Sequence, residues 1–589
     1  MSRKLFIGIV AMMLCALLLP GCTSPSVAPT ATPAPAQTVA ATETPAATDA
    51  PPTAKTLEYA KFTVYDGTAT DTTQINPMTT DIWAELFKIT NTDLEVEFLV
   101  GQDGEQKAGL MIASGTLPDI IIPFNSWRTF ANAGVYLDLT PYLKQYAPNL
   151  LAYVGEEGIK LSTSEDGKFY SVTRDMPADP KAQSRSQYPI SGAFYICNGA
   201  LKEAGYPLVK TWDEYVKLIA DYVAKHPTIN GMPAIGFSGP SEGWRWVFTE
   251  NGANKISGVL NDLFVRDPAT GHVTEFYGEN VRAKYKEYFH KLFKLNQAGL
   301  LDPELVSQTY DQYVAKLSSG RVVAYQDEWW ESGLPARANW RANNLTDAYT
   351  VPMPILDAGV TKDTCNGSTT AGYWPKACIS TSCKNPERAV QFFDALASES
   401  VAKLIGWGIE GTHYIVKDGN NDLTDEQDAF INDADKLAKS GIRNSTLSTL
   451  MPLTYPLRAK FSDGTDWDYY SSEARFKRAY DATEKEILAK YGWSDFASGA
   501  FAPRRTTYSV TLEDPPAVSE FWTAWYGPSS PTTYYQKAMY AKNEAEFESV
   551  WAEWIALLDS MDTKPVIDQM NKAADLTIAA YGPDAYKIN

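Results

Sequence analysis

The chain has 589 residues, of which 44% are hydrophobic, and it carries a formal net charge of −19 at pH 7. This length is sufficient for two or more ordinary domains. The acidic balance argues against a nucleic-acid partner, because phosphate backbones bind basic surfaces, and against polyanionic ligands.

The first 22 residues have the layout of an export signal. Arg3 and Lys4 precede an apolar run from Leu5 to Leu19, and a Pro-Gly-Cys sequence ends the segment at Cys22. The run is shorter than the roughly 20 residues of a membrane-spanning helix, which favours a cleaved signal over an uncleaved anchor. The segment resembles a bacterial lipoprotein signal, which implies cleavage before Cys22 and a diacylglycerol on its sulfur. We therefore expect a signal peptide over residues 1–21 and a protein anchored by lipid to the outer face of the cell membrane.

Residues 22–56 are predicted to be the lipidated cysteine and a disordered tether. Of the 34 residues from 23 to 56, 26 are Thr, Ala or Pro, and none is aromatic. Such a segment buries too little apolar surface to offset the entropy of ordering it. We expect the folded body to begin at Leu57.

Two rounds of α/β structure are predicted in that body. In the first, strands at 58–65, 94–100 and 119–122 alternate with helices around 82–89 and 105–113, an order typical of a doubly wound α/β layer. The second round has strands at 193–197 and 321–326 and a helix that begins at a capping box. Further helices are predicted from Asn385-Pro386 and near 544–558. The predicted strands and capping box of the second round are Ala193–Cys197, Arg321–Gln326 and Thr211–Glu214.

We expect the two rounds to form two lobes, each completed by a later return of the chain. The first lobe would comprise residues 57–180 with about 365–455. The second would comprise about 185–360 with about 456–589, including the C-terminal helices. Outside the cell, Cys365 could pair with Cys378 or Cys383 in a disulfide, and buried free thiols are the alternative.

Motifs of common enzymes are absent from the sequence. The four histidines form no H-E-x-x-H pair, and neither a G-x-S-x-G elbow nor a Walker lysine loop occurs. Gly406–Gly411 matches G-x-G-x-x-G but follows a predicted helix rather than a strand, so the dinucleotide-binding context is missing. We therefore expect no enzyme, no cofactor and no catalytic metal.

The acidic segment Asp418–Glu426 alternates like the start of a calcium loop. Its sixth position is Leu423 instead of Gly and its twelfth is Ala429 instead of Glu, so the sharp turn and the bidentate ligand are missing. The alternative is an acidic turn that leads into a helix capped by Thr424 with Gln427.

Six segments of the body resemble, in their order along the chain, extracellular solute-binding proteins of the carbohydrate-uptake class, family 1, which includes maltose-binding protein. The resemblance implies a periplasmic-binding-protein-like α/β fold of two doubly wound lobes with a hinge and an interlobe cleft. It also implies a carbohydrate ligand, an ABC permease as partner and a monomer. The similar segments are Trp83–Asp119 (ending ASGTLPD), Tyr195–Gly205 (YICNGALKEAG), Thr211–Glu214 (TWDE), Gly320–Trp330 (GRVVAYQDEWW), Lys384–Ala389 (KNPERA) and Gly408–Tyr414 (GIEGTHY).

Candidate ligand contacts are sought just after strands and in loops, since ligands of open α/β sheets bind beyond the carboxyl ends of the strands. A sugar presents apolar C–H faces and hydroxyls, so its site needs flat rings together with a few placed polar groups. For any one tryptophan, core packing is the alternative to ligand contact. The adjacent Trp329 and Trp330 are favoured, because two neighbours in a strand cannot both face one core layer. The predicted contacts are Asp66, Asn125, Trp127, Arg128, Trp244, Trp246, Asp327, Trp329, Trp330, Tyr373 and Trp374.

The predicted function is capture of a carbohydrate, most simply an oligosaccharide, and its delivery to an ABC importer. One alternative is a peptide or another small solute. Another is a surface glycoside hydrolase that uses carboxylate pairs such as Asp327 and Glu328, although adjacent strand residues point to opposite faces. A third is a surface adhesion protein, which would bind no small solute.

Overall fold

Two β-sheets organise the part of the chain that the computed structural model describes. The described residues run from 57 to 582, with breaks at 69–74, 174–188, 258–262, 361–375, 451–459, 500–511 and 527–529 and at isolated positions elsewhere, chiefly between 153 and 165. They belong to one compact unit, Thr56–Asn589.

Fifteen strands occur in the described residues. They are β1 (Ala60–Asp66), β2 (Thr92–Phe98), β3 (Ile120–Ile122), β4 (Ser171–Thr173), β5 (Ala193–Cys197), β6 (Thr228–Ile229), β7 (Met232–Pro233), β8 (Ile235–Ser238), β9 (Phe264–Arg266), β10 (Val273–Phe276), β11 (Val322–Asp327), β12 (Thr350–Met353), β13 (Lys376–Ile379), β14 (Ile415–Lys417) and β15 (Asn420–Asp422).

The α-helices of the described residues cover the two sheets and dominate the C-terminal third. They are α1 (Trp83–Thr90), α2 (Gly104–Ser114), α3 (Trp127–Asn132), α4 (Thr140–Tyr146), α5 (Asn198–Glu203), α6 (Trp212–Lys225), α7 (Trp246–Glu250), α8 (Gly252–Ile256), α9 (Glu279–Gln297), α10 (Tyr310–Ser318), α11 (Leu334–Ala342), α12 (Pro386–Leu396), α13 (Glu399–Trp407), α14 (Asp425–Ile431), α15 (Ala434–Ser440), α16 (Ser445–Leu450), α17 (Glu473–Arg478), α18 (Ala482–Tyr491), α19 (Phe496–Gly499), α20 (Pro516–Tyr526), α21 (Pro531–Met539), α22 (Glu544–Asp559) and α23 (Lys564–Tyr581). Short 3-10 helices occur at Pro77–Thr79, Phe124–Ser126, Gly243–Arg245 and Thr346–Ala348, and a π-helical turn at Trp329–Gly333.

The first sheet has the strand order β2-β1-β3-β13-β4. β1 pairs in parallel with both β2 and β3, which confirms the predicted strand–helix–strand alternation. Phe62 and Val64 face one core, and Tyr65 faces another core under α2 and α3. The late strand β13 pairs antiparallel with β3, so the chain returns to this sheet after leaving it.

The second sheet has the order β12-β5-β11-β8. β8 and β11 are parallel, whereas β5 runs antiparallel to β11 and to β12. All residues of β5, β8 and β11 are buried, because helices cover both faces of the sheet. The parallel pair ends at one edge, and the loops that follow β8 and β11 meet there.

The core of the first sheet extends further along the chain than the predicted lobe boundary at about residue 456. Phe461, Trp467 and Tyr469 pack into it. The indole N–H of Trp407 donates to the backbone oxygen of Asp466 at 2.9 Å, which fixes this late segment to the first core. The division into two lobes with those boundaries stays a prediction.

The C-terminal helices pack on the core of the second sheet through aromatic rings. Tyr535 of α21 stacks on Phe289 of α9, with ring centroids 4.2 Å apart. Trp551 and Trp554 of α22, a helix predicted near 544–558, are buried in the same core. The aromatic-rich final third therefore completes this core.

Local predictions can be checked at several helix starts and at the cysteines. The capping box of Thr211 and Glu214 is present, and the Asn385 side chain accepts a hydrogen bond at the start of α12. Cys378 and Cys383 are buried and Cys365 lies outside the described residues, so the disulfide of Cys365 stays a prediction. Within the described segments, no helix combines the length and apolar character that a bilayer crossing requires.

Candidate functional site

The carboxyl edge of the second sheet gathers the loops that follow β8 and β11. β11 leads into the π-helical turn Trp329–Gly333, and β8 leads into the 3-10 helix Gly243–Arg245 and α7. Because β8 and β11 are parallel neighbours, the two loops meet at the same edge.

Trp330 forms the exposed part of this edge. Its side chain is 43% exposed, and its indole meets the Phe248 ring edge to face with centroids 5.7 Å apart. Val247 adjoins Phe248 in α7 and is also exposed. Trp329 is partly buried against the second core. One of the two adjacent tryptophans thus packs and the other presents its ring, in a π-helical turn rather than in a strand.

Arg245 anchors the same edge electrostatically. Its guanidinium carbon lies 4.0 Å from the centre of the Tyr310 ring, and its Nε forms an ion pair with the buried carboxylate of Glu331. The Tyr310 hydroxyl donates to the backbone oxygen of Glu331 at 2.6 Å. These contacts connect the loop after β8, the start of α10 and the turn after β11, so they hold the backbone that carries Trp330.

Asp327 ends β11 and is completely buried. Its carboxylate accepts hydrogen bonds from the Tyr313 hydroxyl at 3.2 Å, from the Glu328 backbone N–H at 2.7 Å and from the Ser332 hydroxyl. Burial raises the pKa of Asp327 well above its usual range. With these partners inside the protein, the carboxyl group is placed to shape the turn that carries the tryptophans.

Asp66 has a similar position at the end of β1 in the first sheet. It is fully buried, and its Oδ1 accepts from the backbone N–H of Thr68 at 2.9 Å. Its Oδ2 accepts from the Thr446 hydroxyl at 2.6 Å. Asp66 therefore joins the first strand to α16, which returns from late in the chain.

Trp127 and Arg128 begin α3, just beyond the end of β3. The Trp127 ring stacks on Tyr136, with centroids 4.6 Å apart. Arg128 forms an ion pair with Asp514, whose side chain is almost completely buried and also accepts from the Gln569 amide at 2.6 Å. The pair links α3 of the first sheet to helices that pack on the second core.

A cavity of about 750 Å³ lies beside this ion pair. Ala131, Tyr136 and Tyr170 line it from the side of the first sheet, and Asp514 and Gln569 line it from the side of the C-terminal helices. Its volume is within the range of about 300–1,000 Å³ that is usual for small-molecule sites.

Of the remaining predicted contacts, one is buried in a core and the others are not described by the structure. Trp246 is buried in the second core and stacks on Phe289 at 6.2 Å, which favours packing over ligand contact in this conformation. Tyr373 and Trp374 lie outside the described residues, as do the side chains of Asn125 and Trp244.

Sequence reasoning missed Tyr310, Glu331, Tyr136, Tyr170 and Asp514. Tyr310 and Tyr136 follow no predicted strand, and nothing local to Asp514 indicates its partner Arg128. The sequence signals near these residues were Arg245, which stands between two tryptophans, and the predicted contacts Trp127 and Arg128.

The acidic segment that alternates like a calcium loop forms a hairpin and a helix start. β14 and β15 are antiparallel and joined by Asp418 and Gly419, and the capping box of Thr424 with Gln427 begins α14. Arg478 donates to Asp425 at 2.8 Å and to the Leu423 backbone oxygen at 2.6 Å. Among the residues that the structure places, no three His, Cys, Asp or Glu side chains group as metal ligands would.

Comparison with known families identifies a model that matches this chain. The model of the family described as bacterial extracellular solute-binding protein matches residues 69–403. This match covers more than half of the chain and includes the second predicted α/β round and all of the first except its opening strand at 58–65.

Two curated relatives are similar in sequence. The fructooligosaccharide ABC transporter substrate-binding protein FusA of Streptococcus pneumoniae is 25% identical over 328 residues, which is 52% of this chain and 56% of that protein. The polygalacturonan/rhamnogalacturonan-binding protein YtcQ of Bacillus subtilis is 22% identical over 336 residues, 56% of this chain and 62% of that protein. The matched segment thus spans little more than half the length of these relatives.

Solved structures are similar over a larger share. FusA of Streptococcus pneumoniae in complex with kestose has a TM-score of 0.59 at 19% identity and covers 88% of this chain and 99% of that chain. A human-milk-oligosaccharide (HMO) binding solute-binding protein of Bifidobacterium longum infantis has the same TM-score at 16% identity, again over 88% of this chain and 99% of that one. At these identities the likeness concerns the fold, which is periplasmic-binding-protein-like.

Proposed function

Because the chain belongs to the family of bacterial extracellular solute-binding proteins, we propose that it captures an oligosaccharide outside the cytoplasm and delivers it to an ABC importer. The observation that carries the proposal is the exposed indole of Trp330 at the carboxyl edge of β8 and β11. An exposed ring offers a flat face to the C–H side of a sugar.

Two observations bear on the alternative functions, a glycoside hydrolase and a peptide binder. The buried acid Asp327 has three donors within the protein, so it is not set out as half of a hydrolytic pair. The relatives FusA and YtcQ are named for oligosaccharide and polysaccharide binding. A peptide binder would use the same exposed ring but would respond to a different ligand panel.

The experiment is a thermal-shift screen of the full-length chain against neutral oligosaccharides, uronic-acid oligosaccharides and peptides, in a detergent without a sugar headgroup. We expect a rise in melting temperature with at least one neutral oligosaccharide, since a ligand that binds only the folded state stabilises it. Chromatography of the same glycan after incubation is expected to show no product. A response to peptides alone, or cleavage of the glycan, would replace the proposal with the corresponding alternative.

We also propose the lipid anchor predicted at Cys22, with residues 1–21 removed and the ABC permease as the partner at the membrane. A Cys22→Ser variant is expected to leave the membrane fraction and appear in the soluble extracellular fraction. Retention of this variant in the membrane would indicate an uncleaved N-terminal anchor instead.

A further inference from the structure

Asn230 and Gly231 form the tip of a hairpin that joins β6 to β7. Both residues are exposed, and both have a positive φ, 51° for Asn230 and 77° for Gly231, as is usual for a two-residue Asn-Gly turn. β8 follows the hairpin directly, and the candidate site lies beyond the other end of β8. The hairpin therefore presents an Asn-Gly peptide bond to solvent, away from the candidate site.

An asparagine that precedes glycine is prone to spontaneous deamidation, because glycine has no side chain to shield its backbone nitrogen. In this reaction the nitrogen of Gly231 attacks Cγ of Asn230, and the new C–N bond closes a five-membered imide. The bond from Cγ to Nδ2 breaks, and Nδ2 leaves as ammonia with the proton of the glycine nitrogen. Water then opens the imide at either carbonyl and yields aspartate or isoaspartate, so water is the only other reactant.

The sequence has four Asn-Gly pairs, and they differ in their surroundings. Asn198-Gly199 lies at the start of α5 and is buried, and Asn251-Gly252 lies at the start of α8 with its glycine buried. The side chains of Tyr222 and Tyr288 pack closely on these two glycines. Closure of the imide ring requires rotation of the backbone, which these two pairs can reach only by local opening of the packed helix. The fourth pair, at 366–367, lies outside the described residues.

The side chain of Asn230 also holds the hairpin against the turn that precedes β11. Its Nδ2 donates a hydrogen bond to the backbone oxygen of Ser319 at 2.8 Å. An ionised aspartate has no N–H for this bond, and its negative charge would face the carbonyl oxygen. Isoaspartate would add one carbon to the main chain of a two-residue turn, which fixes the register of the hairpin. Either product therefore removes this contact between the hairpin and the rest of the second sheet.

We infer that Asn230 is a site of spontaneous deamidation and that its conversion releases the β6–β7 hairpin from the turn before β11. The modification lowers the stability of the folded chain. It leaves the edge that carries Trp330 in place, since the hairpin and that edge lie at opposite ends of β8. The inference does not depend on the proposed ligand.

Peptide mapping by mass spectrometry tests the site after incubation of the folded, full-length chain at mildly alkaline pH, where the glycine nitrogen loses its proton more readily. Asn230 is expected to lose its amide at least about tenfold faster than Asn198 and Asn251, because those two react only from opened states. In the chain unfolded by urea, the three asparagines are expected to react at similar rates. A folded chain in which Asn230 reacts no faster than the other two, or an equal advantage of Asn230 in urea, would overturn the assignment.

Asn230→Asp tests the structural consequence, because it creates one product of the reaction directly. It is expected to lower the melting temperature by about 1–2 °C, since the Ser319 oxygen loses its donor. The matched control is Asn344→Asp, at another exposed asparagine with a positive φ of 52°, and it is expected to cause a smaller shift. Equal shifts in the two variants would overturn the release of the hairpin.

Discussion

The ammonium group of Lys316 lies 3.0 Å from Oδ1 and 2.9 Å from Oδ2 of Asp302, in the interior of the protein. The same carboxylate accepts from the Ser238 hydroxyl at 2.8 Å, and Lys316 also donates to Gln308 at 2.9 Å. Ser238 is the last residue of β8, so this buried ion pair holds the strand end from which the candidate site extends.

Replacement of Lys316 by Met is expected to lower the free energy of unfolding by about 3–5 kcal/mol, because it leaves a carboxylate buried without its cation. Urea unfolding of the purified chain measures the change. The matched control is Lys217→Met, which breaks an exposed pair with Asp221 and is expected to cost no more than about 1 kcal/mol. Equal costs for the two variants would mean that the buried pair contributes no more than a surface pair.

Truncation of Trp330 tests the exposed ring of the candidate site. Trp330→Ala is expected to weaken oligosaccharide binding by at least about tenfold, or roughly 1.4 kcal/mol, without unfolding the chain, because the ring is exposed. Trp329→Ala is expected to weaken binding by a similar factor, and its partial burial adds a loss of stability. Calorimetric titration with the glycan found in the screen provides the affinities.

The control for the tryptophan variants is Tyr59→Ala, a change at another exposed aromatic ring near the start of β1. It is expected to leave the affinity unchanged. If both tryptophan variants also bind as well as the native chain, the ligand does not contact this edge of the second sheet.

The carboxyl group of Glu250, at the end of α7, is expected to make the stability of the fold depend on pH. Burial raises the pKa of its carboxyl to about 8 from an ordinary value near 4.5. Between these values the folded state binds more protons than the unfolded state, so this group stabilises the fold at low pH and the contribution is lost as pH rises through 8. When ionised, the Glu250 carboxylate in turn raises the pKa of Tyr277 and of Tyr535.

Glu250→Gln keeps an uncharged side chain at every pH. The decrease in the free energy of unfolding between about pH 5 and 8 is therefore expected to be smaller in this variant than in the native chain, by at least about 1.4 kcal/mol. Urea unfolding at a series of pH values gives the comparison. Glu553→Gln, a change at an exposed position of α22, serves as the control and is expected to leave the slope intact. A native chain as stable at pH 8 as at pH 5, with no gain in Glu250→Gln, would show that Glu250 is not held neutral.

The contacts of Arg478 lead us to expect that the acidic segment 418–426 needs no calcium for its stability. Its guanidinium already binds Asp425 and the Leu423 backbone oxygen, which are the kinds of group that a calcium ion would gather. We expect the melting temperature to be the same in a chelator and in about 1 mM calcium, the range of weak extracellular sites.

Arg478→Gln is expected to lower the free energy of unfolding by about 1 kcal/mol, since charged hydrogen bonds are lost at a partly exposed position. Lys436→Gln, which breaks an exposed pair with Asp433, is the comparison and is expected to cost less. A rise of several degrees in the melting temperature of the native chain with calcium would contradict this role of Arg478.

Much of the fold could be predicted from local patterns. The alternation around Phe62 and Val64 predicted β1, and the apolar run before Trp329 predicted β11. The capping box at Thr211 placed the start of α6 correctly. Such features depend on neighbouring residues, whose spacing is visible in the sequence itself.

Local sequence patterns could not predict other parts of the candidate site. The sequence favoured Trp329 and Trp330 as ligand contacts, but it did not show which of the two is exposed or that Trp246 is buried, because all three follow strands of the same sheet. The sequence also did not show that Phe461, Trp467 and Tyr469 pack into the first core, because the bond between Trp407 and the Asp466 backbone depends on how a late segment folds back.

The sequence by itself determined the α/β alternation, the helix starts and the resemblance to solute-binding proteins, because each follows from residue order over short distances. Only the tertiary structure decided that Arg128 meets Asp514, that a cavity opens beside them and that Trp330 remains exposed. The physical reason is that burial and long-range pairing depend on how the chain packs in three dimensions, which local periodicity does not specify.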